Sequence, residues 1–386
     1  MLRYLTAGES HGASLTTILD GLPAGLTLKT GYIDLHLGRR QGGYGRGGRM
    51  GIEHDFIRIT SGVRGELTTG APVTMVITNA DWDNWSQTMA TGPEADLNDR
   101  VITRPRPGHA DLTGAIKYGH QDVRNVLERS SARETASRVA AGSVARMFLE
   151  ALGVFVVGHV IQIGSVKAEP NSLDFSELES AVFKSQVYCA DPKASEAMID
   201  EISLVRTAGD SLGGVFEIKV FGLPPGLGSY SQRNRTLDGR LAGALMSIQA
   251  IKGVEIGAGF AAASARGSQL HDGIQFHYSR GFFRETNNAG GIEGGMSNGN
   301  ELVIKAAMKP IPTLNTPLYT VDIKTKMPVG AAVERSDICA VPAACVVGES
   351  AVAWEIAVAF FEKFGGDTMD EIKKRVEDYR EYVNHI

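Results

Sequence analysis

Three histidines stand where proton chemistry could be done. His11 lies in Gly8-Glu9-Ser10-His11-Gly12, His109 in Arg104-Pro105-Arg106-Pro107-Gly108-His109-Ala110-Asp111, and His120 follows Gly119. Imidazole both gives and takes a proton near neutral pH. His11 and His109 stand out by their company, a carboxylate and a hydroxyl beside one, two arginines and a rigid turn around the other. The surroundings of His120 say less. Glu334-Arg335-Ser336-Asp337 sets a guanidinium beside a carboxylate, and Lys309-Pro310-Ile311-Pro312-Thr313 holds a lysine at the head of a stiff, extended turn. A serine hydrolase is a poor reading of Ser10-His11, because the two are adjacent in sequence. No HxxxH, HxH or CxxC spacing is present, so a metal site is not indicated.

The arginines say what these groups would act on. Of 25 arginines, 13 fall within residues 39–64 and 100–138, although the chain is acidic overall, with a net charge of −5. Guanidinium is a rigid fork that pairs with carboxylate or phosphate. A locally basic surface on an acidic protein points to a concentrated anionic ligand. Two glycine-rich stretches accompany it, Gly42–Gly51 and Asn287–Gly299, and both read as loops whose amides approach a ligand closely. Neither is a Walker loop or a strand–GxGxxG–helix fingerprint.

The elements that must hold these residues are partly visible. Thr16–Leu19, Val73–Thr78, Val154–Ile163, Val215–Phe221 and Leu302–Ala307 read as strands. Ser131-Ala132-Arg133-Glu134 has the form of a capping box, and the helix after it carries Ala136, Val139, Ala140, Val144, Met147, Phe148 and Leu152 on one face. The start of that helix is a natural seat for phosphate, and Arg133 in its first turn, opposing the dipole, needs a reason to be there. Leu241–Ile251 and Ser350–Phe364 read as buried or half-buried helices, and Asp370–Tyr382 as a charged, solvated one. Strands and helices without regular alternation argue α+β over a doubly wound sheet. No boundary is convincing, so residues 1–386 are expected to form one domain with a charged helix in 366–386.

Composition bounds the class. With 43 % hydrophobic and 22 % charged residues among 386, the chain can build a core and is not globally disordered. Its apolar runs are short, its N-terminus lacks the form of a signal peptide, and three cysteines do not suggest a disulfide framework. The expectation is a cytoplasmic, reduced, metal-independent protein. An RNA binder is the competing class, from the Gly45–Arg49 RGG-like element, but stacking aromatics and a broad basic surface are missing. A flavin oxidoreductase with net hydride transfer is a further alternative, disfavoured by the missing dinucleotide fingerprint.

Taken together, Gly8–Gly12, Arg39–Met50, Arg104–Asp111, Leu127–Thr135, Gly290–Asn298 with Lys309–Thr313, and Arg335–Asp337 resemble the chorismate synthase family. The resemblance implies an α+β fold, a β-α-β sandwich with central helices between antiparallel sheets, and a homotetramer. It implies loss of phosphate and the C6 hydrogen from 5-enolpyruvylshikimate 3-phosphate to give chorismate, with reduced FMN required but no net redox change. By the same resemblance, His11 would protonate the reduced flavin, His109 would assist the departing phosphate, and Asp337 would act through flavin N5 on the C6 hydrogen. Flavin contacts would come from Arg129, Ser130, Ser131, Gln249, Ala250, Gly294, Lys309, Pro310, Ile311, Pro312, Thr313 and Arg335. Arg40 and Arg46 match positions that touch NADP and by charge could equally hold substrate phosphate, and Arg49 and Arg133 join them as phosphate-binding candidates. NADPH is a candidate source of reducing equivalents. The long insertions of versions with their own reductase activity are missing, so an external flavin reductase is expected. Two positions depart from the family's usual residues, Gln269 and Asn288.

Overall fold

Period-two burial builds the first sheet. In Ser14–Asp20, Leu15, Thr17 and Leu19 point inward while their neighbours face outward. The computed structural model describes residues 1–47, 53–170, 172–278, 281–334 and 337–386. Its N-terminal part runs β1 (Arg3–Ala7), β2 (Ser14–Asp20), α1 (Thr30–Gln41), β3 (Ile57–Ser61), a short ribbon β4–β5 (Val63–Arg64 and Leu67–Thr68) and β6 (Val73–Thr78). The sheet has the order β1-β2-β6-β3, antiparallel throughout, with Leu5 opposite Ile18 and Thr17 opposite Met75.

The middle of the chain supplies α2 (Asp111–Tyr118), α3 (Arg124–Ser130) and α4 (Thr135–Glu150). The second sheet is built from β7 (Phe155–Ile163), β8 (Val166–Lys167), β9 (Gly214–Phe221) and β10 (Ile251–Ile256), joined by a late strand, Leu302–Met308. That strand lies between β10 and β9, with Ile304 opposite both Ile218 and Ile256. Helices α5 (Phe175–Lys184), α6 (Pro192–Ala208) and α7 (Leu237–Met246) flank the sheet, and an apolar hairpin pairs Ile274–His277 with Gly281–Arg284. Two further long helices, Val341–Phe364 and Met369–His385, end the chain.

Helix α4 and the Val341–Phe364 helix form the middle layer. The first touches β2 and the second lies on β7 and β9, so two antiparallel sheets enclose packed helices. This is the α+β sandwich expected. It also explains where helix periodicity misled. Helix α4 is buried on nearly every side from Thr135 to Leu149, not on one face. The Val341–Phe364 helix begins nine residues before Ser350, with Pro342 in its first turn, because an all-round apolar helix has no polar stripe to mark its course. It is long and apolar enough to span a bilayer, yet 83 % of that window is buried within the fold. Helix α7 ends at Met246 rather than Ile251, because Ala250 takes φ +67° and Ile251 pairs with Met308 in the sheet.

The two central helices touch through backbone. A Cβ added at Gly142 would sit 2.3 Å from Ser350 Cβ and 2.5 Å from its Cα. Gly142→Ala is therefore expected to destabilise by about 1–3 kcal/mol, despite the roughly 1 kcal/mol of helix propensity that alanine adds. Urea unfolding measures it, and a variant as stable as wild type would contradict this crossing.

Candidate active site

The loop Gly8–Gly12, between β1 and β2, is tied to the end of α3. Ser10 N–H donates to the Glu128 carbonyl at 2.9 Å, and Ser10 Oγ donates to Ser131 Oγ at 3.1 Å. One carboxylate oxygen of Glu128 accepts from the His11 backbone N–H at 2.8 Å, and the other lies 2.8 Å from His11 Nδ1. Trp85 stacks on the His11 ring with centroids 3.8 Å apart. Burial would raise the Glu128 carboxyl, but its bonds to His11 hold it below the usual carboxylate range.

His109 repeats the pattern. Its Nδ1 lies 2.5 Å from Asp111 Oδ1, and Asp111 is fully buried at the first residue of α2. Arg106 grips the same carboxylate through its backbone N–H, Nε and Nη2. Burial would raise the Asp111 carboxyl, but the His109 and Arg106 hydrogen bonds hold it well below its ordinary value. In both cases a carboxylate occupies the Nδ1 edge; this leaves Nε2 as the working nitrogen of His11, whereas Nε2 of His109 lies 3.3 Å from Arg106 Nη2.

A contact path joins the two histidines. Glu134 accepts from Thr6 Oγ1 and Gln249 Nε2, Lys309 N–H donates to the Ala250 carbonyl at 2.9 Å, and Lys309 Nζ donates to the Gly108 carbonyl at 2.5 Å. Arg106 Nη1 reaches Thr313 Oγ1, and Ser211 Oγ donates to the Ile311 carbonyl. Arg129 bonds the Gly8 and Thr6 carbonyls and Thr6 Oγ1. Asp337 is held by Arg46 at 2.5 Å and by the Gly47 N–H at 2.7 Å. Arg124 bridges Glu128 to Glu334, three residues before Asp337.

Several expectations change. The capping box is half formed: Ser131 Oγ accepts from Arg133 N–H, but the Glu134 carboxylate turns to Arg138, a stronger, charged partner, over a short 3₁₀ turn. Arg40 and Arg133, expected on an open phosphate-binding face, are 3 % and 4 % exposed and share Asp55 from two sides, with Glu53 and Asn79 also on Arg133. That internal pairing is the reason for an arginine in the first turn. Burial would raise the Asp55 carboxyl, and the two guanidiniums overcome it and lower it. Gly294 lies toward the opposite end of α7 from Gln249. Its neighbour Gly295 packs on Thr236 at the start of α7, whereas Gln249 follows the end of that helix. Ten helical residues separate them by about 15 Å. Asn288 binds the Leu270 carbonyl and Asp272, a local role. Arg49 and Arg335 lie outside the described residues. Sequence reading missed Glu128, Asp111, Arg106 and Trp85 as parts of the site. Only the closeness of Asp111 and Arg106 to His109 along the chain could have marked any of them.

Two buried side-chain atoms mark where a ligand fits. Ser130 Oγ and Gln249 Oε1 have no hydrogen-bond partner among the described residues. Buried polar groups are normally satisfied, so a group with donors and acceptors along one edge suits this place. The profile of the chorismate synthase family matches residues 2–361. The chain belongs to that family. A chorismate synthase from Desulforudis audaxviator is 61 % identical over 386 residues, covering 100 % of this chain and 98 % of its own. One from Desulforamulus reducens is 60 % identical with both chains fully covered. A crystal structure of a chorismate synthase superposes with a TM-score of 0.81 at 41 % identity, covering 100 % of this chain and 99 % of that one. As a chorismate synthase the protein is a lyase of the shikimate pathway, serving aromatic amino acid biosynthesis. The orphaned hydroxyl and amide oxygen fit a flavin ring edge, which carries both donors and acceptors.

Proposed function

We propose that this chain eliminates phosphate and the C6 hydrogen from 5-enolpyruvylshikimate 3-phosphate, giving chorismate and inorganic phosphate, at a site holding His11, His109 and Asp337. The observation that carries the reading is a series of hydrogen bonds and chain neighbours that runs from Ser10–His11 through Ser131, Glu134, Gln249–Ala250 and Lys309 to Gly108–His109. Arg129, Ser130, Ser131, Gln249, Ala250 and Lys309–Thr313 would hold reduced FMN, which when bound would supply transient electron density without net redox change. His11 holds a proton at Nε2, with its ring fixed by Glu128 and Trp85. His109 delivers a proton from Nε2 to the departing phosphate oxygen, and Arg106 and Lys309 beside it stabilise the charge that develops there. Asp337, steadied by Arg46, stands as the proton acceptor. Arg40 and Arg133 act as the frame behind these groups.

The working assembly in this reading is a cytoplasmic homotetramer fed by an external flavin reductase, with NADPH as the ultimate reductant. The hairpin supports assembly: Ile274, Phe276, Tyr278 and Phe282 are 50–97 % exposed. Anaerobic incubation with photoreduced FMN and the enolpyruvyl substrate should release phosphate and chorismate together, with the flavin reduced at the end. Flavin left oxidised in proportion to product would instead mark a net oxidoreductase.

Arg129→Ala should raise the FMN dissociation constant about 10- to 100-fold, as charge-assisted contacts contribute about 1.5–3 kcal/mol. Substrate affinity should move less, because Arg129 braces the Thr6–Gly8 carbonyls at the flavin end. An unaltered FMN affinity by fluorescence titration would remove Arg129 from that contact set.

A further inference from the structure

We propose that Glu128 is the positioning residue for His11, fixing its Nδ1–H form so that Nε2 is the nitrogen that handles the proton. This rests on the role proposed above for His11.

The geometry is a two-point clamp. Both carboxylate oxygens of Glu128 are used on the same residue, one on the His11 backbone N–H and one on Nδ1, each at 2.8 Å. Glu128 is 2 % exposed, so water does not compete for these bonds. Its backbone carbonyl accepts from Ser10 N–H, which fixes the loop before the histidine as well. Ring rotation is closed off by Trp85, stacked on the imidazole at an interplanar angle of 21°. Trp85 is pinned in turn by its Nε1–H to Asp81 and by Arg100 and Arg124, whose guanidiniums lie 4.0 and 5.1 Å from its ring centroid. Arg124 also touches Glu128 at 3.5 Å. One imidazole edge and one face are thus committed, and the Nε2 edge is left for a ligand. A carboxylate accepts only, so Nδ1 must carry hydrogen, and Nε2 can gain and give the second proton while Nδ1–H stays in place.

Glu128→Gln tests this with little change of shape. The amide oxygen can still accept from the His11 backbone N–H, but its NH₂ then faces Nδ1 and donates to it. The neutral imidazole switches to the Nε2–H form, and a ring protonated at both nitrogens meets a donor where it had an acceptor. The expected result is about a 10²-fold fall in kcat, with KM and FMN affinity within about threefold. ¹⁵N-histidine NMR, with the His11 signals assigned by their loss in His11→Gln, should show hydrogen on Nδ1 in wild type and on Nε2 in the variant. Glu128→Asp, which restores an acceptor, should recover at least tenfold of the lost kcat. A wild-type His11 with hydrogen on Nε2 alone overturns the proposal, whether or not any variant folds. So does a Glu128→Gln enzyme with unchanged kcat, or one whose loss comes with an unmoved His11 tautomer. A wild type that releases no phosphate with reduced FMN would instead strike the functional reading and leave the tautomer measurement standing.

Discussion

His109→Ala is expected to lower kcat by about 10²–10⁴-fold, the range for removing a positioned proton donor, while flavin and substrate still bind within about threefold. The split follows from what the side chain touches. His109 hangs from Asp111 by Nδ1 and is 17 % exposed, so its outer edge meets solvent or ligand. Removing it leaves Asp111 paired with Arg106 through three hydrogen bonds, and Arg106 still paired with Thr313. The turn should therefore keep its shape, and the anion-binding charge beside it stays. What is lost is a proton at the leaving oxygen in the transition state, which reads out in kcat and not in KM. Single-turnover phosphate release under anaerobic conditions measures it. A variant within threefold of wild type would falsify the acid role of His109.

Glu349→Gln should cost about 3–5 kcal/mol of folding stability, the range for breaking a buried ion pair by removing one partner. Glu349 is 1 % exposed in the helical middle layer, where it accepts from Arg39 twice, from Arg146 at 3.2 Å and from the Gly158 N–H at 2.7 Å. Without the carboxylate, two buried guanidiniums from α1 and α4 face each other in the core, with the half-buried Glu150, 3.9 Å from Arg146, left to offset them. Burial would raise the Glu349 carboxyl, but Arg39 and Arg146 win and lower it. The sign for pH follows. A depressed carboxylate contributes stability above its unfolded-state value and loses it as pH falls through the folded one. Wild type should thus lose stability on acidification more steeply than the variant, and denaturant midpoints across that range compare the two. Equal slopes and equal midpoints would show that the network carries no net stability.

Much of the machinery was legible along the chain because its signals are local. His11, His109 and the Lys309–Thr313 turn announce themselves by immediate neighbours, and Val73–Thr78 is a strand with the same ends in sequence and structure because alternation and β-branching act within six residues. The concentration of arginine and glycine pointed to an anionic ligand, and the long irregular blocks to the family, since both are properties of residue order alone. Partners were not legible. Glu128 is 117 residues from His11, Glu349 is 310 from Arg39, and Asp55 is 78 from Arg133. No propensity or period encodes which charge meets which, because electrostatic pairing depends on distance in space and on the water excluded between the groups. Tertiary packing therefore decided that Arg40 and Arg133 face inward and that a carboxylate holds Nδ1 of both imidazoles.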